Sequence, residues 1–171
     1  MKLAKRTKIG VVPKRPQSRY RPKAPVEIAR NMSAIRATDN RTELLIRKTL
    51  FAMGFRYRKY SNRVPGKPDI VFPSAKVAVF IDGDFWHARL LREGGVRAAK
   101  AALKTRNREY WLDKFRRRIA RDDQVNAVLE AANWVVIRVW ESDASKDVLS
   151  VAQRIGASVQ QRKLLGKVHS S

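Results

Sequence analysis

The stretch Val77–Leu91, VAVFIDGDFWHARLL, opens with five apolar residues like a buried strand and then changes character. Asp82 and Asp84 follow one residue apart, Phe85 and Trp86 stand side by side, and His87 comes next, one of only two histidines in the chain. Just upstream, Asp69 enters another apolar run, DIVF, directly after PGKP. A hairpin joining DIVF to VAVFI through PSAK would bring Asp69, Asp82 and Asp84 to one end of a sheet. Carboxylates gathered in a basic protein suggest a hard cation: Mg2+ takes one or two carboxylates together with phosphate oxygens, and it screens the acids from the phosphate. A single aspartate there can also serve a turn or a cap, which is the simpler reading for Asp84. Asp69 resists it, because a charge entering an apolar run is costly unless coordinated or paired.

His169 sits in a polar tail, so His87 is the histidine of the folded body. A neutral imidazole near a metal-bound water is the usual acceptor of a proton at neutral pH, although a lone histidine can also be purely structural. Asp122 favours the first reading. It falls at helical spacing on the stripe of Leu112, Phe115 and Ile119, where an apolar residue is expected, so it should be buried and in need of a partner. His87 suits that need.

These residues must be positioned by a small set of elements. TDNRTELLIRKTLFAMGF predicts a helix capped by Asn40 with Glu43 three residues on, Leu45, Ile46, Thr49, Leu50 and Met53 sharing a face, and Gly54 as the stop. FRYRKYS alternates as a strand with one wet face, Phe55, Tyr57 and with them Lys59 on the other side, and NRVPGKP is a turn. DIVF and VAVFI read as strands buried on both faces. Residues 88–104 fit a helix or an ordered loop, broken at Gly94 and Gly95. A long amphipathic helix spans 105–133, WVVIRVWE is a further buried strand, and 145–163 form a last helix. The order is that of an α/β domain: a small mixed sheet flanked by helices.

Composition bounds the function. In 171 residues, 38 Lys and Arg stand against 15 Asp and Glu, a net charge of +23 that points to a polyanion, nucleic acid first, although a merely basic protein of ribosomal type would also fit. The absence of cysteine excludes disulfides and thiolate metal sites. No apolar run approaches the ~20 residues of a membrane span, so no membrane partner is expected and a cytoplasmic, nucleoid-associated protein is. Residues 1–30 carry ten Lys or Arg against Glu27 alone, with four of the seven prolines, which predicts a flexible basic arm for phosphates or a solubilising tail. The expected division is thus an arm at 1–30, a catalytic domain at 31–165 and a tail at 166–171.

Taken in order, GFRYR, PGKPDIVF, FWH, YWLDKFRRRIARD and NWVVIRVWE resemble the very short patch repair endonucleases, over residues 32 to about 143. The resemblance implies a restriction-endonuclease-like fold of the PD-(D/E)XK type and Mg2+-dependent nicking of double-stranded DNA, 5′ of the thymine in a T·G mismatch. It implies that Asp69 binds metal, that His87 acts on the attacking water, that Asp122 orients His87 and that Glu43 is a supporting acid, a role compatible with capping. Phe85, Trp86 and Trp111 match the aromatic residues that the family wedges beside the mismatch, and Lys67 joins them as a DNA contact. At the end of the VAVFI strand, metal can use the Ile81 carbonyl or recruit Asp82. The family's structural zinc positions are occupied by Asp84, Arg89, Leu91 and Ser142, which form no zinc cluster, so packing or ion pairs such as Asp84 with Arg89 must hold the wedge. A monomer is expected, with accessory repair proteins compatible. The alternatives are a mobile-element type of site-specific endonuclease cutting paired duplex, and a DNA-binding module without catalysis.

Overall fold

The computed structural model describes residues 40–168, with side chains to residue 166. The basic arm and His169 lie outside the described residues. The chain divides into two units, and every described element belongs to the second, residues 37–171.

Helix α1 (Arg41–Ala52) is capped by Asn40, whose Oδ1 accepts from the Glu43 N–H at 2.7 Å. It ends at Gly54, whose φ of +87° is a left-handed value that glycine adopts without strain. The buried face differs from the expected one: Ile46 and Leu50 are fully buried, but Leu45 and Met53 are 42% and 40% exposed. Glu43 and Arg47 take the inner places, 3.1 Å apart, which is tolerable because each buried charge meets its opposite.

Strand β1 is only Arg58–Lys59, β2 is Ile70–Phe72 and β3 is Val77–Asp82; the expected hairpin joins β2 to β3 through a 3-10 turn at Pro73–Ala75. Phe55 and Tyr57 pack against the core as their alternation requires, whereas Lys59 is exposed. After β3 come α2 (Arg89–Ala102), α3 (Arg108–Ala131), β4 (Val135–Trp140), the short α4 (Glu141–Lys146) and α5 (Val148–Val168). Residues 88–104 are thus mainly helical, with the glycine break appearing as a kink at Gly95. The single helix expected near the C-terminus is two, α4 and α5.

The sheet order is β1-β2-β3-β4, antiparallel except for β3 with β4, which run parallel as a crossover through α2 and α3 demands. Strand β3 is buried throughout, and its period of two sorts the core. Val77, Val79 and Ile81 join Ile46 and Leu50 of α1 and Ile155 of α5 in one cluster, while Ala78 and Phe80 meet Leu129 of α3 in another. Asp82 continues the Phe80 side. Leu112 and Phe115 of α3 form a third cluster with Ala88, Ala99 and Leu103. Asp122 therefore interrupts the α3 stripe between two apolar clusters, facing the end of β3.

Candidate active site

Four sequence-distant elements meet at the end of β3. Asp82 and Asp122 are only 4% and 6% exposed, and the sheet itself supplies their counter-charge. Arg138 shares the Phe80 and Asp82 side of the sheet, since Phe80 pairs in register with Arg138 and Asp82 with Trp140. Its Nη1 donates to both oxygens of Asp82 at 2.9 and 2.7 Å, its Nη2 lies 3.6 Å from Asp122 Oδ1, and its Nε donates to Asn126 Oδ1 at 2.9 Å.

His87 enters this cluster from the turn between β3 and α2. His87 N–H donates to the Gly83 carbonyl at 3.0 Å, and Ala88 then adopts a left-handed φ of +58° that reverses the chain, at a cost of about 1–2 kcal/mol. On the ring, Nδ1 lies 2.9 Å from Asp122 Oδ2 and 3.0 Å from Asp82 Oδ1, while Nε2 lies 2.6 Å from Nη2 of Arg118. A guanidinium can only donate, so Nε2 accepts and the ring proton sits on Nδ1, which donates it in a hydrogen bond to Asp122. Burial alone would raise the Asp122 carboxyl, but the His87 hydrogen bond, Arg138 and Arg118 outweigh it and hold it below the usual carboxylate range.

Asp69 stands on the other side of the β3 end. Its N–H donates to the Val79 carbonyl at 3.0 Å and its Oδ2 accepts from the Ile81 N–H at 2.7 Å, so the carboxylate is braced against the strand. Oδ1 has no hydrogen-bond partner among the described residues. Burial pushes this carboxyl up from 3.8 to about 6; the Ile81 N–H opposes the rise, and the charges of Glu43 and Asp82 add to it. The approach is fixed by Gly66, at φ +78°, where a Cβ would lie 2.5 Å from Val125 Cγ1, so the PGKP turn packs directly on α3. Lys67 follows at φ +53°, beside a cleft that it shares with His87, Arg118, Arg121 and Arg138. Glu43 is buried beneath, accepting a short hydrogen bond from the Tyr60 hydroxyl and paired with Arg47.

Among the described residues, no three histidine or acidic side chains are arranged to cage a metal. A single braced carboxylate with an open oxygen, its proton affinity raised by burial, fits a hard cation that brings its own waters and takes phosphate oxygens from the substrate. Asp82 fits that role less well, because Arg138 engages both its oxygens.

Phe85 and Trp86 form the exposed edge of an aromatic cluster completed by half-buried Trp111 and buried Phe115. The ring of Phe85 lies 5.2 Å from Trp86, 5.1 Å from Trp111 and 5.3 Å from Phe115, each edge to face. Phe85 and Trp86 are nevertheless 47% and 45% exposed, bare aromatic surface beside the cluster of His87, Asp82 and Asp122. Lys114 Nζ sits 4.6 Å from the Trp111 ring centre and 5.3 Å from that of Trp86. Arg117, Arg118 and Arg121 continue the basic lining.

The loop bearing these rings is tied to α4 by one guanidinium. Arg89 reaches Asp84 at 3.0 Å, Ser142 Oγ at 2.8 Å, Glu93 at 2.9 Å and Asp143 at 2.8 Å, and Ser142 bonds Asp84 again through its own N–H and hydroxyl. Despite some burial, the bonds from Ser142 and Arg89 hold the Asp84 carboxyl low, and the bond from Arg89 does the same for Asp143. Asp84, Arg89 and Ser142, three of the four positions at which the resemblance expects the family's zinc site, are thus bonded to one another directly.

Sequence reasoning missed Arg118, Arg138 and Tyr60. Arg138 carried a readable signal, a charge in the middle of the apolar run WVVIRVWE, the same anomaly that marked Asp122. Arg118 lies four residues before Asp122, an ion-pair spacing on a helix. Tyr60 had no such mark.

Residues 24–92 match the family model described as DNA mismatch endonuclease Vsr. The type II nicking enzyme V.NmeDIP of Neisseria meningitidis serogroup C is 37% identical over 136 residues, 80% of this chain and 88% of that protein. The type II nicking enzyme V.NaeI of Lentzea aerocolonigenes is 42% identical over 127 residues, 71% of this chain and 72% of that one. The DNA mismatch endonuclease Vsr of Escherichia coli K12 is 29% identical over 113 residues, 66% and 68% of the two chains.

Proposed function

Because the chain belongs to the Vsr family of DNA endonucleases, with their restriction-endonuclease-like fold, we propose that it nicks one strand of duplex DNA, 5′ of the thymine in a T·G mismatch, with Mg2+. The observation that carries the chemistry is the placement of the two ring nitrogens of His87. Nδ1–H is held by Asp122, with Asp82 at ion-pair distance, so the lone pair of Nε2 faces the basic cleft, where it accepts a proton from water attacking the phosphorus. Asp122 fixes the tautomer and stabilises the imidazolium that forms. Arg138 supplies the counter-charge to both buried carboxylates by pairing with each.

Asp69 and the Ile81 carbonyl would hold the cation, leaving Asp82 to Arg138 and His87. When bound, Mg2+ lowers the charge repulsion at the phosphate and stabilises the oxyanion that leaves. Glu43, braced by Tyr60 and Arg47, supplies a supporting acid whose charge is felt at Asp69. Phe85, Trp86 and Trp111 supply the wedge: entering a base stack costs a few kcal/mol, least where pairing is already poor, so a mismatch is favoured. Lys67 and the arm of residues 1–30 add phosphate contacts that carry no sequence information.

The test is one set of incubations of T·G, fully paired and single-stranded DNA with Mg2+, beside Asp69→Asn. The proposal expects nicking of the T·G duplex alone and none by the variant. Equal cutting of paired duplex would favour a site-specific endonuclease instead, and binding without cutting of any substrate would point to a module that has lost catalysis.

A further inference from the structure

Nε2 of His87, the proton acceptor of the proposed reaction, is not open in this conformation. Nη2 of Arg118 sits 2.6 Å from it and fills the place that an attacking water would need. Arg118 is poorly held there. Its Nε is buried without a hydrogen-bond partner, the nearest carboxylate oxygen, Asp122 Oδ2, being 3.6 Å away, while the side chain as a whole is 39% exposed. Arg138 is the contrast: its Nη1 and Nε are spent at 2.7–2.9 Å on Asp82 and Asn126, so it cannot leave without stranding a buried acid.

We propose that Arg118 is a catalytic residue that exchanges partners, capping Nε2 of His87 in the free protein and passing to a DNA phosphate when substrate enters. The exchange replaces a bond between a cation and a neutral ring by a forked bond between a cation and an anion, which is the stronger. The cleft already favours the anion. Lys67, Arg118, Arg121 and Arg138 line it beside His87, and it encloses about 270 Å³. One movement would then do two things: free the lone pair of Nε2 for the attacking water, and set a positive charge on the phosphate that the water attacks. His87 would be an active base only when a phosphate is present, so Arg118 couples substrate occupancy to reactivity.

The inference rests on His87 being the base, and its test separates the two. Diethyl pyrocarbonate acylates an imidazole through its free lone pair. In a His169→Gln background His87 is the sole histidine, because the chain holds only two. Arg118→Ala should be carbethoxylated roughly tenfold faster than its parent in the absence of DNA, the factor that one hydrogen bond to a charged group is worth. The same variant should nick a T·G duplex in single turnover roughly tenfold or more slowly, having lost the charge on the phosphate. These opposite signs are the signature of an exchanged partner. Arg118→Lys, which keeps the charge and loses the fork, should show fast carbethoxylation with intermediate nicking. Equal carbethoxylation of parent and variants would overturn the cap, and faster carbethoxylation with unchanged nicking would overturn the transfer to phosphate. If His87→Ala nicks as fast as its parent, the base assignment itself fails, whatever Arg118 does.

Discussion

His87 and Asp122 stand 35 positions apart in the chain and 2.9 Å apart in the fold, Nδ1 to Oδ2, with Asp82 Oδ1 only 3.0 Å from the same nitrogen. The imidazole thus has a hydrogen-bonding carboxylate and a second one held in reserve by Arg138. Asp122→Asn should slow single-turnover nicking by roughly 10–10²-fold, less than loss of the base itself, because Asp82 still favours the productive tautomer. Adding Asp82→Asn should bring the loss to that of His87→Ala. Additive small effects in the double variant would show that neither acid orients the ring.

Arg138 carries a stability prediction. Its guanidinium is the shared counter-ion of two nearly buried acids, so Arg138→Met should destabilise the fold by roughly 3–5 kcal/mol in denaturant unfolding. Part of that loss should be recovered by Asp82→Asn, which removes the stranded charge. A change within error for Arg138→Met would mean that solvent reaches these acids freely.

The raised carboxyl of Asp69 predicts a pH dependence with a definite sign. Between 3.8 and about 6 the metal-free folded protein keeps a proton that the unfolded chain has already released. This contribution therefore favours folding below 3.8 and is lost as the pH rises through about 6. A cation needs the ionised form, so added Mg2+ should raise the melting temperature at about pH 7.5 and scarcely at about pH 5. Asp69→Asn should abolish the Mg2+ effect at both. An equal shift in the variant would place the cation elsewhere.

Much of this site is legible in the sequence because it breaks local rules. Asp69 and Asp122 stand where apolar residues belong, and an ionisable side chain at such a place needs a partner across the structure. The hairpin of β2 and β3 is equally legible from two apolar runs around PSAK. What escaped the sequence was set by tertiary pairing. The inner face of α1 holds Glu43 and Arg47, whose mutual neutralisation displaces Leu45 and Met53 outward, and no periodicity of apolar residues can show that. The i,i+4 spacing of Arg118 in RRRIARD points only to Asp122, and only the fold brings it onto His87.

The network around Arg89 predicts independence from zinc. Four acceptors on three segments meet one guanidinium, and Lys in its place cannot serve them all. Arg89→Lys should loosen the turn that bears Phe85 and Trp86 and so reduce the preference for T·G over paired duplex, while binding to paired DNA is kept. Zinc chelators should leave the melting temperature of the parent unchanged. Stoichiometric zinc in the purified protein would contradict this.

The wedge and the base should separate by mutation, and one pair of variants measures that most directly. Single-turnover nicking and equilibrium binding of a T·G duplex in Mg2+ should be followed for Trp86→Ala and His87→Ala together. His87→Ala is predicted to bind the mismatch as the parent does and to nick it slower by ~10²–10⁴, the usual loss for a general base. Trp86→Ala is predicted to lose its preference for mismatched over paired duplex and to cut what it binds nearly as fast as the parent. If His87→Ala instead weakened mismatch binding as much as Trp86→Ala while nicking of bound substrate stayed fast, His87 would be a structural residue and the mechanism built on its two nitrogens would be wrong.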